Sequence, residues 1–450
     1  MPGPRARTRV VIMGAAGRDF HDFNLVYRDD PAREVVAFTA AQIPGIAGRR
    51  YPAALAGPLY PVGIPIIAEA ELEACVRTQG VELVVLAYSD LSHVEVMHRA
   101  SRALAAGADF ALLGPRRTML AAAVPVIAVS AVRTGAGKSP LARWLSARLR
   151  ARGLRVGVVR HPMPYGDLAL EAVQRFATRA DLDAAKCSVE EREEYEPHLA
   201  AGSVVYAGVD YARIIERAAS EAQLILWEGG NNDFPFVRPD FHIVLADALR
   251  PGHEIAYHPG ETCLRMADVV VVSKADTAPA EAVAEIARNA QRLNPRASIV
   301  RGALAIRLDD EAAVRGKRVL VVEDGPTITH GGMAHGAGYL AARRAGAAVV
   351  VDPRPSAPPE ILELYAQYSH IGPVLPAAGY SSGQLEALRR TIDAADADLV
   401  LAATPVDLAA LLRPNKPVVR VRYEFEELDA PGLAGELERF LAGRFPAHVR

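Results

Sequence analysis

The sequence predicts an α/β protein built in three parts, each a sheet of buried strands wrapped by helices. Two observations lead there. Short apolar runs rich in β-branched residues recur through the 450 residues and alternate with helical patterns, as parallel strands joined by crossover helices do. The length suits about three domains, and half of the residues are hydrophobic, enough for several cores.

Residues 1–122 read as a Rossmann-like parallel-sheet domain. Its strands are Val10–Met13, Val35–Phe38, Leu83–Leu86 and Phe110–Leu113, and between the last two Val94, Met97, Ser101 and Leu104 mark one face of a helix. The turn Gly14-Ala15-Ala16-Gly17-Arg18 follows the first strand but lacks the third glycine of a dinucleotide fingerprint. Arg18, Arg49, Arg50 and Arg116 fall in loops beyond strand ends, where open α/β sheets hold ligands. The planar guanidinium fork suits phosphate and carboxylate, so the domain is a candidate site for a small polyanionic substrate. Solvated loop arginines are the alternative.

Residues 123–312 are the central domain. The strand Val126–Ser130 empties into Thr134-Gly135-Ala136-Gly137-Lys138-Ser139, and a helix follows with Leu141, Trp144, Leu145 and Leu149 on one face. Strand, glycine turn, Lys-Ser and helix are the parts of a phosphate-binding loop. Backbone N–H groups and the helix N-terminus surround phosphate oxygens, Lys138 neutralises charge, and the Ser139 hydroxyl suits Mg²⁺. This reads as a P-loop NTPase domain. The first glycine of the usual pattern is replaced by Val132, and Pro140 removes one N–H.

Further strands are expected near 155–159, 204–206, 223–227, 242–246, 269–272 and 298–300. Glu228 and Asp247 end two of them, where P-loop proteins place acids that hold Mg²⁺. Ser273-Lys274-Ala275-Asp276 looks like the Asn/Thr-Lys-x-Asp element with which GTPases read guanine, with Lys274 packing on the base and Asp276 accepting from it. Arg160 and His161 follow another strand and are candidate transition-state stabilisers. The acidic run 190–196 reads from its residues as a solvated helix face.

Residues 313–450 form a C-terminal α/β region with strands at 318–322, 347–351 and 398–402 and a closing helix near 432–443. Its loop 324–336, with two histidines, suits anion binding by backbone N–H groups better than metal ligation.

A net charge of −2 argues against a nucleic-acid footprint or a basic membrane face. Three scattered cysteines without a C-x-x-C argue against a disulfide scaffold and a cysteine zinc site. No signal peptide or spanning stretch is visible, so a cytoplasmic protein is expected. Oligomeric state is open, a homo-oligomer included.

Long strings of this chain resemble the cyclic 2,3-diphosphoglycerate synthetase family, whose relatives are often described as predicted GTPases. They are residues 10–21, 42–52, the loop 134–139, 158–168, 190–198, 228–236 and 323–333. The resemblance implies an ATP- and Mg²⁺-dependent ligase that closes a phosphoanhydride within 2,3-diphosphoglycerate, releasing ADP and phosphate. Under it Lys138, the 135–139 amides and Mg²⁺ on Ser139 and Glu228 would activate the γ-phosphoryl group, while Arg160 and His161 in catalysis and Asp247 at Mg²⁺ rest on their strand-end positions. Residues 134–139 with Lys274 and Asp276 would hold the nucleotide, and Arg18, Arg49, Arg50 and Arg116 the substrate. The acidic run and Asn231-Asn232-Asp233 become site candidates. Ser-Lys-x-Asp points to GTP in place of ATP. A regulatory or metallochaperone-type GTPase and a small-molecule kinase are the alternatives.

Overall fold

A computed structural model describes residues 7–15, 17–41, 46–160, 168–230, 233–329, 332–377 and 382–445. Strands β1 (Thr8–Met13), β2 (Arg33–Ala40), β3 (Arg50–Tyr51), β4 (Ile64–Ala68), β5 (Leu83–Leu86) and β7 (Asp109–Leu112) form a six-stranded sheet in the order β3-β4-β2-β1-β5-β7. Only β3 runs antiparallel to its neighbour. Helix α1 (Arg18–Asp22) follows β1, α2 (His93–Ala106) precedes β7, and the short α3 (Pro115–Thr118) follows it. The sequence names the wrong face of α2. Val96, Ala100 and Ala103 are buried, whereas Val94, Met97 and Leu104 are more than half exposed. Small alanines let the helix lie close to the sheet, so bulk alone misidentifies the inner face.

The central sheet is built from β8 (Val126–Ala131), β9 (Val156–Arg160), β10 (Gln174–Phe176), β11 (Val204–Ala207), β12 (Leu224–Glu228), β13 (Phe241–Asp247), β15 (Val269–Ser273) and β16 (Ser298–Leu308). Every residue of β8, β9, β12, β13 and β15 is buried, as expected of parallel strands covered on both faces. The order β10-β11-β9-β12-β8-β13-β15-β16 puts β8 between β12 and β13. Helix α4 (Lys138–Ala151) follows β8 and buries Leu141, Leu145 and Leu149. The acidic run lies in α5 (Val189–Ala200), started by a Ser188–Glu191 capping box.

The sheet does not stop at the predicted boundary near 313. β16 pairs with β15 in parallel over Ser298–Arg301, then with β21 (Val418–Glu427) antiparallel over Gly302–Leu308. β20 (Leu399–Ala403), β17 (Arg318–Asp324), β18 (Val349–Val350) and β19 (Leu375–Ala377) extend it to thirteen described strands. The closing helix α8 (Leu433–Arg444), after α6 (Gly260–Met266) and α7 (Ala337–Arg344), returns to the central core. Leu433, Leu437 and Leu441 pack with Val269, Val271 and Leu149, and Phe440 stacks on Phe241 at 5.2 Å. The N-terminal sheet is clasped to the central domain by β6 (Leu91–Ser92) pairing with β14 (Tyr257–His258).

Candidate functional site

Gly135 and Gly137 take φ of +80° and +102°, the left-handed region that glycine adopts without strain. This turns successive N–H groups toward one concavity, and α4 begins there with no side chain capping it. The positive end of a fourteen-residue helix, uncapped by any side chain, favours an anion at this turn. Arg250 Nη2 donates to the Thr134 carbonyl at 2.5 Å and Asp90 Oδ2 accepts from the Thr134 N–H at 3.4 Å, pinning the loop from two sides. Burial lowers the Lys138 ammonium to about 8, against the opposing pull of Glu228 and Asp90.

Ser139, on the first turn of α4, donates its hydroxyl to Glu228 Oε1 at 2.6 Å. The other oxygen, Oε2, accepts from His198 Nε2 at 2.8 Å, and Arg160 pairs with both Glu228 and Glu194. Glu228 has no solvent exposure. Burial alone would raise its pKa, but the Arg160 charge and the His198 and Ser139 bonds hold the carboxyl well below its ordinary range. His198 is pushed down by burial and stays neutral, donating its Nε2 proton. A hydroxyl beside an ionised carboxylate is a hard-oxygen donor pair that fits Mg²⁺.

Lys138, Glu228 and Arg160 are thus brought together with the 134–139 loop. His161 lies outside the described residues. Asp247 does not join them. β12 and β13 flank β8 on opposite sides, and the register sets Glu228 beside Val129 but Asp247 two residues past the Leu245–Ala131 pair, so the two acids are separated both across and along the sheet. The Asp247 carboxylate is occupied by Lys274 Nζ at 2.8 Å and Arg250 Nε at 3.0 Å, a cation pair that displaces the expected Mg²⁺ role. Lys274 sits at φ +56°, its charge turned back on Asp247, while Asp276 is exposed.

The expected polyanion cradle is not assembled among the described residues. Arg18 is buried and paired with Asp233 at 2.8 Å and Asp22 at 3.6 Å. Arg49 is half-buried; exposed Arg50 lies on the edge strand β3, with its guanidinium on the Val62 and Gly63 carbonyls at 2.9 and 3.0 Å. Exposed Arg116 follows β7, the strand at the opposite edge. Strand order, which the sequence does not print, separates these loops.

The acidic run is also not a solvated face. Glu191, Glu193 and Glu196 are buried, and Glu193 accepts from the Thr404 hydroxyl at 2.6 Å across to the C-terminal region. His198, Asp90, Asp22 and Arg133 escaped reading by residue type. Arg133 pairs with Asp90 at 2.6 Å and lies over Tyr257 at 3.8 Å. The one usable signal was the near-absence of helical amphipathy in 189–200, since a helix polar all round is often bridging.

Comparison with known proteins gives four findings. The family model described as cyclic 2,3-diphosphoglycerate synthetase, P-loop domain, matches residues 199–303. Arginine synthetase ArcE of Thermococcus kodakarensis is 54% identical over 436 residues, 97% of each chain. Tetraacyldisaccharide 4'-kinase of Pseudomonas aeruginosa is 32% identical over 149 residues, 32% of this chain and 41% of that one. Among solved structures, ATP-bound LpxK of Aquifex aeolicus overlaps 72% of this chain and 90% of its own at 14% identity, with a TM-score of 0.40.

Proposed function

The chain belongs to the cyclic 2,3-diphosphoglycerate synthetase family and is an NTP-dependent ligase; from that premise we propose that its reaction is the ATP-driven formation of arginine. The observation that carries the reading is the 54% identity to an arginine synthetase along 97% of both chains. The character of the site supports it. The N-terminal crevice presents the buried carboxylates Asp19, Asp22 and Asp233, and Arg18 is already paired there. Carboxyl groups beside a buried arginine suit the ammonium and carboxylate of an amino-acid head better than the clustered phosphates of 2,3-diphosphoglycerate.

The chemistry balances as a ligase reaction. The γ-phosphoryl group of ATP passes to the ureido oxygen of L-citrulline, ammonia adds to the activated carbon, and phosphate leaves. ATP, citrulline and ammonia become ADP, phosphate and arginine. The 135–139 amides and Lys138 bind and orient the β- and γ-phosphates, and Arg160, held by Glu194 and Glu228, supports the charge that develops during transfer. Ser139 and Glu228 would hold Mg²⁺, which would neutralise phosphate charge. His198 fixes the Glu228 carboxylate through its Nε2 proton.

Phosphorus NMR with ATP and Mg²⁺, run in parallel with citrulline plus ammonia and with 2,3-diphosphoglycerate, tests the reading. Expected are phosphate and ADP in the first mixture, with arginine recovered by chromatography. A cyclic anhydride resonance in the second, without arginine in the first, would return the protein to the cyclisation reading. GTP hydrolysis without any acceptor would favour a regulatory GTPase.

A further inference from the structure

The N-terminal sheet changes winding direction at β1, with β2 on one side and β5 on the other. The carboxyl ends of β1 and β5 therefore open the crevice in which doubly wound sheets hold ligands. Arg18 and Asp22 stand there at 6% and 1% exposure, one turn apart on α1. Two groups hold two of the three guanidinium nitrogens of Arg18, and a ring supports its face. Nε donates to Asp233 Oδ1 at 2.8 Å, Nη2 donates to the Phe234 carbonyl at 2.6 Å, and the Phe234 ring lies beneath at 3.8 Å.

The third nitrogen is different. Arg18 Nη1 and Asp22 Oδ1 face each other at 3.6 Å, beyond hydrogen-bond distance, and neither atom has a hydrogen-bond partner. Buried polar atoms are rarely left so, because desolvation without a bond costs free energy. A guanidinium nitrogen and a carboxyl oxygen side by side, each without a hydrogen bond, match the carboxylate and ammonium of a zwitterion. Ser130 Oγ, near the end of the strand that leads into the phosphate loop, donates to the Asp233 carbonyl at 3.3 Å, so the Arg18–Asp233 pair lies beside that strand.

We propose that this gap receives the α-amino-acid head of the acceptor. Arg18 Nη1 donates to its α-carboxylate and Asp22 Oδ1 accepts from its α-ammonium, with the substrate side chain extended toward Lys138. A zwitterion entering between them spreads the pair and gives each atom its missing bond. The inference rests on the arginine-forming reading and adds the residues that recognise the amino acid.

Calorimetry on the full chain with L-arginine, agmatine and 2,3-diphosphoglycerate tests it. L-Arginine is expected to bind at least tenfold more tightly than agmatine, which lacks the carboxylate. Asp22→Asn should weaken L-arginine at least tenfold while ADP binding stays within twofold. Equal affinity for arginine and agmatine, or no effect of Asp22→Asn, would overturn this seat and leave the arginine-forming reading standing. Binding of 2,3-diphosphoglycerate without L-arginine would overturn both. Should Asp22→Asn fail to fold, the agmatine comparison on the unaltered chain decides.

Discussion

At the carboxyl end of β8 the chain offers backbone amides and Lys138, whereas at the end of β1 it offers Asp19, Asp22 and an arginine already paired. Both places are strand ends of doubly wound sheets, where β8 lies between β12 and β13 and β1 between β2 and β5. The same topology thus carries opposite charge. In the central crevice the backbone suits an anion, because Gly135 and Gly137 adopt positive φ and no side chain caps α4. In the N-terminal crevice the proposed recognition falls to side chains, Arg18 and Asp22. The proposed reaction, in which ATP activates a zwitterionic amino acid, would use both surfaces, and the β6–β14 pairing with Asp90–Arg133 ties the two parts together.

The largest effect that separates the crevices is expected from Lys138→Ala. Turnover should fall about 10³-fold, as for loss of a transition-state donor, with L-arginine affinity unchanged by calorimetry. An equal loss in arginine binding would show that the two surfaces are one site. Glu228→Ala comes next and acts on stability. It removes one of the two carboxylates paired with the buried Arg160 guanidinium, so chemical denaturation should register a loss of about 3 kcal/mol. Glu228→Gln, which keeps the hydrogen-bonding shape, should lose less stability and still impair turnover. A smaller effect belongs to His198→Ala, which should raise the Mg²⁺ concentration for half-maximal activity about 10–100-fold, with activity recovering at high Mg²⁺. Failure to recover would give His198 a role beyond orienting Glu228. The smallest is the double change Arg50→Ala and Arg116→Ala, expected to leave nucleotide and arginine affinities within about twofold, since such surface changes seldom propagate. A tenfold loss of either would restore a polyanion role to those loops.

Much of the central crevice was legible because its function is local. A strand, two glycines, Lys138 and Ser139 lie within one short stretch, and Glu228 ends an apolar run of its own. Asp247 shows where legibility fails. A strand-end acid is recognisable in sequence, but whether Mg²⁺ or a lysine claims it depends on strand order and on Lys274 arriving from β15. The acidic helix fails for the same reason. Seven residues rich in glutamate look solvated until Arg160 and Thr404 are seen to meet them.

By itself the sequence determined the α/β class, the phosphate loop and the positions of most central strands, because periodicity and turn chemistry act over a few residues. Only the tertiary structure decided the rest. It ran one sheet through the predicted boundary near 313, returned α8 to the central core, scattered the loop arginines and set Arg18 against Asp22 and Asp233. Burial and ion pairing depend on residues far apart in the chain, such as Arg18 and Asp233, and no local pattern encodes which distant partner will desolvate or neutralise a charge.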